Sequence, residues 1–164
     1  MLDARYDGKV STDDITTIAD ALGSVLGRDF RGGLYEYLTA DLHDAVDAGA
    51  YPVLSGLDRA GAVSAAGLGH LVGLDRSVVS RRASRLTAAG LVSSAPDPDD
   101  ARASLLTLSP AGVRLVGVMR ARLADALEQR LEAWPAADRR DFARLLKCFA
   151  LAGPLQPPHR SGRR

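Results

Sequence analysis

Between Arg76 and Arg85 the chain carries four arginines and three serines. A guanidinium is a planar fork of donors that fits guanine O6 and N7 or a phosphate, while a serine hydroxyl or a valine methyl reads smaller features such as a thymine methyl. At about 100° per residue on a helix, Ser77, Arg81, Ser84 and Arg85 point outward and Val79, Ala83 and Leu86 point inward. Ser77, Val78, Arg81 and Arg85 are therefore the candidates for base edges, with Ser80 on the same stretch. Arg76 and Arg82, on the flanks, are candidates for phosphates. Alone, such a set is as readily a solvated helix face, so its meaning depends on what holds it.

The flanking sequence supplies a holder. Ser64 is an N-cap for a short helix with Ala65, Leu68, Leu71 and Val72 on its buried side, and Gly73 breaks the chain. Asp75 is a second N-cap candidate, opening a helix that runs through Ala89 and ends at Gly90. Two short helices around a glycine turn form a helix-turn-helix pattern. Leu91–Ala95 and Ala103–Leu108 then read as two short strands, with the turn-rich Pro96-Asp97-Pro98-Asp99-Asp100-Ala101 between them. Ser109-Pro110 pairs an N-cap with a first-turn proline, and Val113, Val116, Met119, Leu123, Leu127 and Leu131 form the stripe of a long helix. Pro135 ends it. A last helix carries Phe142, Leu145, Leu146 and Phe149 up to Gly153.

Upstream, Ile15, Ile18, Leu22, Val25, Leu26 and Phe30 predict an amphipathic helix interrupted at Gly32 and Gly33. A second amphipathic helix follows, with Leu34, Leu38, Leu42 and Val46, ending near Gly49. A third starts around Pro52 and stops before Gly61. The fold class is mainly α with a small β-hairpin wing: a winged helix-turn-helix with flanking N- and C-terminal helices. Four segments follow: N-terminal helices over 1–49, a winged lobe over 50–109, C-terminal helices over 110–153 and a flexible tail over 154–164.

Several other chemistries are disfavoured by the 164 residues. The 46% hydrophobic and 25% charged composition is that of a globular domain, and no apolar run approaches the ~18 residues needed to span a bilayer. A cytoplasmic protein with no membrane partner is expected. Cys148 is the single cysteine, which excludes a disulfide or a thiolate zinc cage within one chain. His43, His70 and His159 are too scattered for a metal site. No nucleophile–base constellation accompanies them, so neither catalytic residues nor a cofactor are expected. Gly67-x-Gly69-x-x-x-Gly73 has the wrong spacing for a dinucleotide loop and lacks the strand such a loop follows. The net charge of +1 conceals segregation: residues 1–60 hold five Lys/Arg against eleven Asp/Glu, and residues 111–164 hold eleven against five.

The run Leu68-Gly69-x-x-Val72-Gly73-Leu74-Asp75-Arg76-Ser77-Val78-Val79-Ser80-Arg81, then Leu86-x-x-x-Gly90-Leu91-Val92, Asp97-Pro98-Asp99-Asp100-x-Arg102 and Leu108-Ser109-Pro110-x-Gly112 resembles the multiple antibiotic resistance regulator (MarR) family. The resemblance implies a homodimeric winged-helix transcription factor, usually a repressor, whose terminal helices intertwine as the dimerisation domain. It implies a pseudo-palindromic double-stranded DNA operator and release by a small, often aromatic, effector. Arg81 matches the basic position closing the family's recognition motif. Asp100 and Arg102 match an acidic and basic wing pair in which the arginine enters the minor groove. Ser93-Ser94-Ala95 and Ala101 depart from it, standing where charged residues are frequent.

Dimerisation places two recognition helices about 34 Å apart, one turn of B-DNA. A ligand that prefers one spacing shifts the population between DNA-competent and incompetent forms. Tyr37, His43 and Tyr51 are the candidates for lining its cavity. The alternative is a winged helix used as a protein-docking module, its arginines pairing with acidic partners and binding no specific DNA.

Overall fold

The computed structural model describes residues 11–98 and 103–153. Ser11 opens the first helix, α1 (Thr12–Leu26), by accepting a hydrogen bond from the Asp13 amide. Gly27 ends it, and α2 (Arg28–Thr39) starts at once. The break therefore falls at Gly27, and Gly32 and Gly33 lie inside α2, contrary to the sequence expectation. Each costs up to about 1 kcal/mol against alanine, which the burial of Leu38 and Thr39 along the same helix outweighs. The predicted second helix also ends ten residues early. Thr39 turns its hydroxyl back onto the Tyr35 carbonyl, Asp41 takes a positive φ of 54°, and residues 40–50 run as turns. Apolar spacing persists there because Val46 and Ala50 are buried from those turns.

Next come α3 (Tyr51–Ala60), with Pro52 in its first turn, the two-residue β1 (Val63–Ser64), α4 (Ala65–Val72) and α5 (Arg76–Ala88). The hairpin strands are β2 (Val92–Pro96) and β3 (Ser104–Leu108), followed by α6 (Pro110–Leu131) and α7 (Ala136–Leu151). The wing carries a third strand absent from the sequence reading. β1 pairs antiparallel to β3 through Val63 opposite Leu106, on the edge away from β2, where Val92 faces Leu108 and Pro96 faces Ser104.

The chain divides into two compact units between Leu123 and Ala124. In the first, Val53, Leu54 and Leu57 of α3, Leu68 of α4, Val79, Ala83 and Leu86 of α5, Leu106 of β3, and Val116 and Met119 of α6 form one core. Fully burying each large aliphatic side chain contributes about 1.5–3 kcal/mol. Arg122 of α6 closes the end of α2, donating to the carbonyl of Ala40 at 2.6 Å and reaching those of Tyr37 and Leu38 at 3.4 Å. Asp58 of α3 pairs with Arg120 of α6. In the second unit Trp134 packs against Phe142, ring centroids 5.4 Å apart. No helix of the described residues is long and apolar enough to cross a membrane.

Candidate nucleic-acid interface

The turn between α4 and α5 sets how the arginine helix stands. Ser64 caps α4 by accepting from the Gly67 amide at 3.1 Å. Gly73 ends α4 in the left-handed region, φ 67° and ψ 37°, which glycine adopts without a Cβ penalty. The Leu74 amide returns to the Gly69 carbonyl at 2.9 Å. A Cβ on Gly69 would stand 2.5 Å from the Leu74 carbonyl oxygen, so glycine is what lets the turn close onto α4. Asp75 occupies the N-cap position of α5 in extended conformation, but its carboxylate makes no capping bond, unlike the expectation.

α5 is anchored by Val79, Ala83 and Leu86, all at most 3% exposed. Its opposite side presents Arg76, Ser77, Arg81, Ser84 and Arg85 as exposed, with Val78 and Ser80 half-buried at the margins. The inward and outward sets are those expected from the 100° repeat. Ser84 spends its hydroxyl on the Ser80 carbonyl at 2.9 Å. An open groove runs between this helix and the wing, bordered by Arg76, Ser80, Ser84, Thr87, Ser94 and Ser104.

The four arginines differ in their surroundings. Arg82 donates through Nη1 to Asp47 Oδ1 at 2.8 Å, and Arg85 through Nη1 to Asp47 Oδ2 at 3.2 Å. Arg85 also donates through Nη2 to the Asp44 carbonyl at 2.6 Å. Arg76 and Arg81 make no ion pair with the described residues. Asp47 was not a sequence candidate. Its signal is its place three residues before Ala50, whose amide it caps at 2.9 Å, and nothing in that spacing announces partners 35 and 38 residues away.

Asp100 and Arg102 lie outside the described residues. Towards that tip the hairpin still closes through the Asp97 amide and Ala103 carbonyl at 3.0 Å. At its base Ser109 donates to the Gly90 carbonyl at 2.6 Å and accepts from the Gly112 amide at 3.1 Å, fulfilling its expected role as the cap of α6.

The three ligand candidates have separate surroundings. Tyr37 is 48% exposed on α2. His43 accepts from the Ala45 amide through Nδ1 at 3.0 Å, which is a turn-forming role. Tyr51 packs on Tyr35 with ring centroids 4.8 Å apart. Burial, and then the neighbouring Tyr35 phenol, push the Tyr51 phenol above its ordinary 10.0. Tyr35 was missed because it lies beside the stripe of Leu34 and Leu38.

The sequence pattern of the MarR family matches residues 42–103, from the Asp47 turns through both helices of the motif and into the wing. YxaD, an uncharacterized HTH-type transcriptional regulator of Bacillus subtilis strain 168, is 30% identical over 102 residues, 62% of this chain and 71% of that protein. The chain belongs to the MarR family. The crystal structure of the MarR family transcription regulator SP03579 matches with a TM-score of 0.69 at 22% identity, over 86% of this chain and 91% of that one. PcaV, a transcriptional regulator from Streptomyces coelicolor solved with its natural ligand, matches with a TM-score of 0.55 at 26% identity, over 88% of this chain and 98% of that one. The helices and three-stranded sheet are thus those of a MarR winged helix-turn-helix, and family and fold are those of transcription regulators rather than enzymes.

Proposed function

We propose that two copies of this chain pair through α1 and α7 and, as a repressor in the cytoplasm, read a pseudo-palindromic operator with α5 in successive major grooves and the wings alongside. The observation that carries this is α5 itself, whose buried Val79, Ala83 and Leu86 leave Arg76, Ser77 and Arg81 exposed on its far side. Pairing is supported by apolar stripes without cover: neither α1 nor α7 has a buried residue, and Ile15, Ile18, Leu145, Leu146 and Phe149 are each about half exposed. Arg81 and Ser77 then meet base edges, Val78 and Ser80 lie at the groove wall, Arg76 holds the backbone, and the wing's Arg102, paired with Asp100 as the resemblance implies, enters the minor groove.

Selection of bound sites from a random duplex pool tests this. An inverted repeat is expected, and Arg81→Ala costs about 1–3 kcal/mol of binding to it and relaxes its sequence preference. Unaltered binding by Arg81→Ala refutes the recognition-helix assignment, and no duplex binding even at low salt points to docking on a protein instead. We further propose release by a small aromatic ligand in the neighbourhood of Tyr37, His43 and Tyr51. The likeness to PcaV, which was solved with its natural ligand, supports a ligand, and the Tyr35–Tyr51 pair supports an aromatic one. Loss of operator binding on titration with a panel of small phenols is the expected result.

A further inference from the structure

We infer that Asp47 is a positioning residue for DNA recognition. Its carboxylate withholds Arg82 and Arg85 from the phosphate backbone and leaves Arg76 and Arg81 as the acting cations of α5. This rests on the DNA-binding function proposed above.

Asp47 is fixed at three points. Oδ1 takes the Ala50 amide and Arg82, and Oδ2 takes Arg85. One carboxylate thus bridges two guanidiniums through charge-assisted bonds, while the second donor of Arg85 is occupied by the Asp44 carbonyl. The side chain of Arg82 is only a third exposed, and its guanidinium lies against Gly49, in space that any Cβ at that position would fill. Gly49 has no positive φ, so its lack of a side chain serves that guanidinium rather than the backbone. Around the helix Arg82 is turned about 100° from Arg81, towards residues 44–50 and away from the exposed Ser77–Arg81 side. A phosphate reaching Arg82 or Arg85 meets a guanidinium whose charge is already shared with Asp47. The sequence alone counts four cations on this helix, and the structure leaves two of them unengaged among the described residues.

The salt dependence of operator binding reads this directly, since each phosphate contact contributes about 0.9 to the slope of log affinity against log salt. The full-length protein is titrated by fluorescence anisotropy on its selected site across a salt series. Asp47→Asn keeps an oxygen to cap Ala50 and removes the charge. It is expected to bind more tightly at low salt and to steepen the slope by about 2–4, for two to four arginines gained across a twofold dimer. Gly49→Ala, which displaces the Arg82 guanidinium and leaves Asp47 charged, shifts the slope the same way by a smaller amount. Asp44→Asn makes the same charge change on a residue that meets Arg85 only through its carbonyl, and leaves the slope alone. The double variant R82Q/R85Q keeps the wild-type slope, whereas Arg76→Gln, which removes a backbone contact, lowers it. Thermal unfolding confirms that each variant is folded. A slope for Asp47→Asn equal to that of Asp44→Asn, or a slope for R82Q/R85Q lowered as in Arg76→Gln, overturns the inference. Wild-type protein that ignores duplex at low salt overturns the DNA-binding function itself, a distinguishable failure.

Discussion

A methyl group placed on Gly69 sets two effects of opposite sign against each other. Gly69 lies inside α4, where alanine is favoured over glycine by about 1 kcal/mol. The added Cβ, however, would stand 2.5 Å from the Leu74 carbonyl oxygen, with the Arg76 amide nitrogen at 3.5 Å and the Asp75 carbonyl carbon at 3.7 Å. An ordinary carbon–oxygen contact is about 3.3 Å or more, so the turn must move by roughly 0.8 Å. The atoms in the way are backbone, and they lead directly into α5. Overpacking of this kind costs about 1–3 kcal/mol, and displacing the turn puts this case at the upper end, for a net loss of about 1–2 kcal/mol. For a chain of this size that lowers the melting temperature by roughly 2–8 °C. Gly33→Ala is the counterpart. Nothing lies within 4 Å of its Cβ position, so it keeps the propensity gain and raises the melting temperature by roughly 1–4 °C. Both are measured by thermal unfolding at one matched protein concentration, because association shifts apparent stability. Gly69→Ala melting at or above the wild type would refute the steric account of the turn.

Ser109→Ala loses the bonds to Gly90 and Gly112 together and is expected to destabilise by about 1–2 kcal/mol in denaturant unfolding, with Ser109→Thr recovering most of it. Arg122→Ala uncovers the carbonyls that end α2 and costs about 1–2 kcal/mol, read as faster amide exchange in the last turn of that helix. The Tyr51 phenol, raised in the folded state by burial, contributes stability that is present below its unfolded value of 10.0 and is lost as pH rises through the higher folded value. Tyr51→Phe therefore flattens the alkaline limb of a stability–pH profile, measured by urea unfolding between pH 9 and 11.

The parts of the fold that follow from local chemistry are the ones the sequence made legible. Ser64, Gly73 and the Ser109-Pro110 pair are signals whose partners lie within four residues, and the structure has each in its expected role apart from the added Gly90 contact. The inward and outward faces of α5 follow from periodicity alone. Gly27 and the Gly32-Gly33 pair show where this ends: a glycine breaks a helix only if nearby packing allows it, and buried Leu38 carries α2 through the pair. β1 is two residues long and exists only because β3 lies beside it, so no repeat in Val63-Ser64 could announce it. The Asp47 contacts were hidden for the same reason, since an acid among turns has no pattern linking it to arginines 35 and 38 residues on.

Ser109 gives the chain just past α5, at Gly90, and the first turn of α6 a common anchor. Its one hydroxyl touches both, at 2.6 Å and 3.1 Å, while the covalent route between them passes through the whole wing. Two hydrogen bonds through one side chain therefore tie the chain just past the reading helix to the start of α6 by a path that bypasses the hairpin.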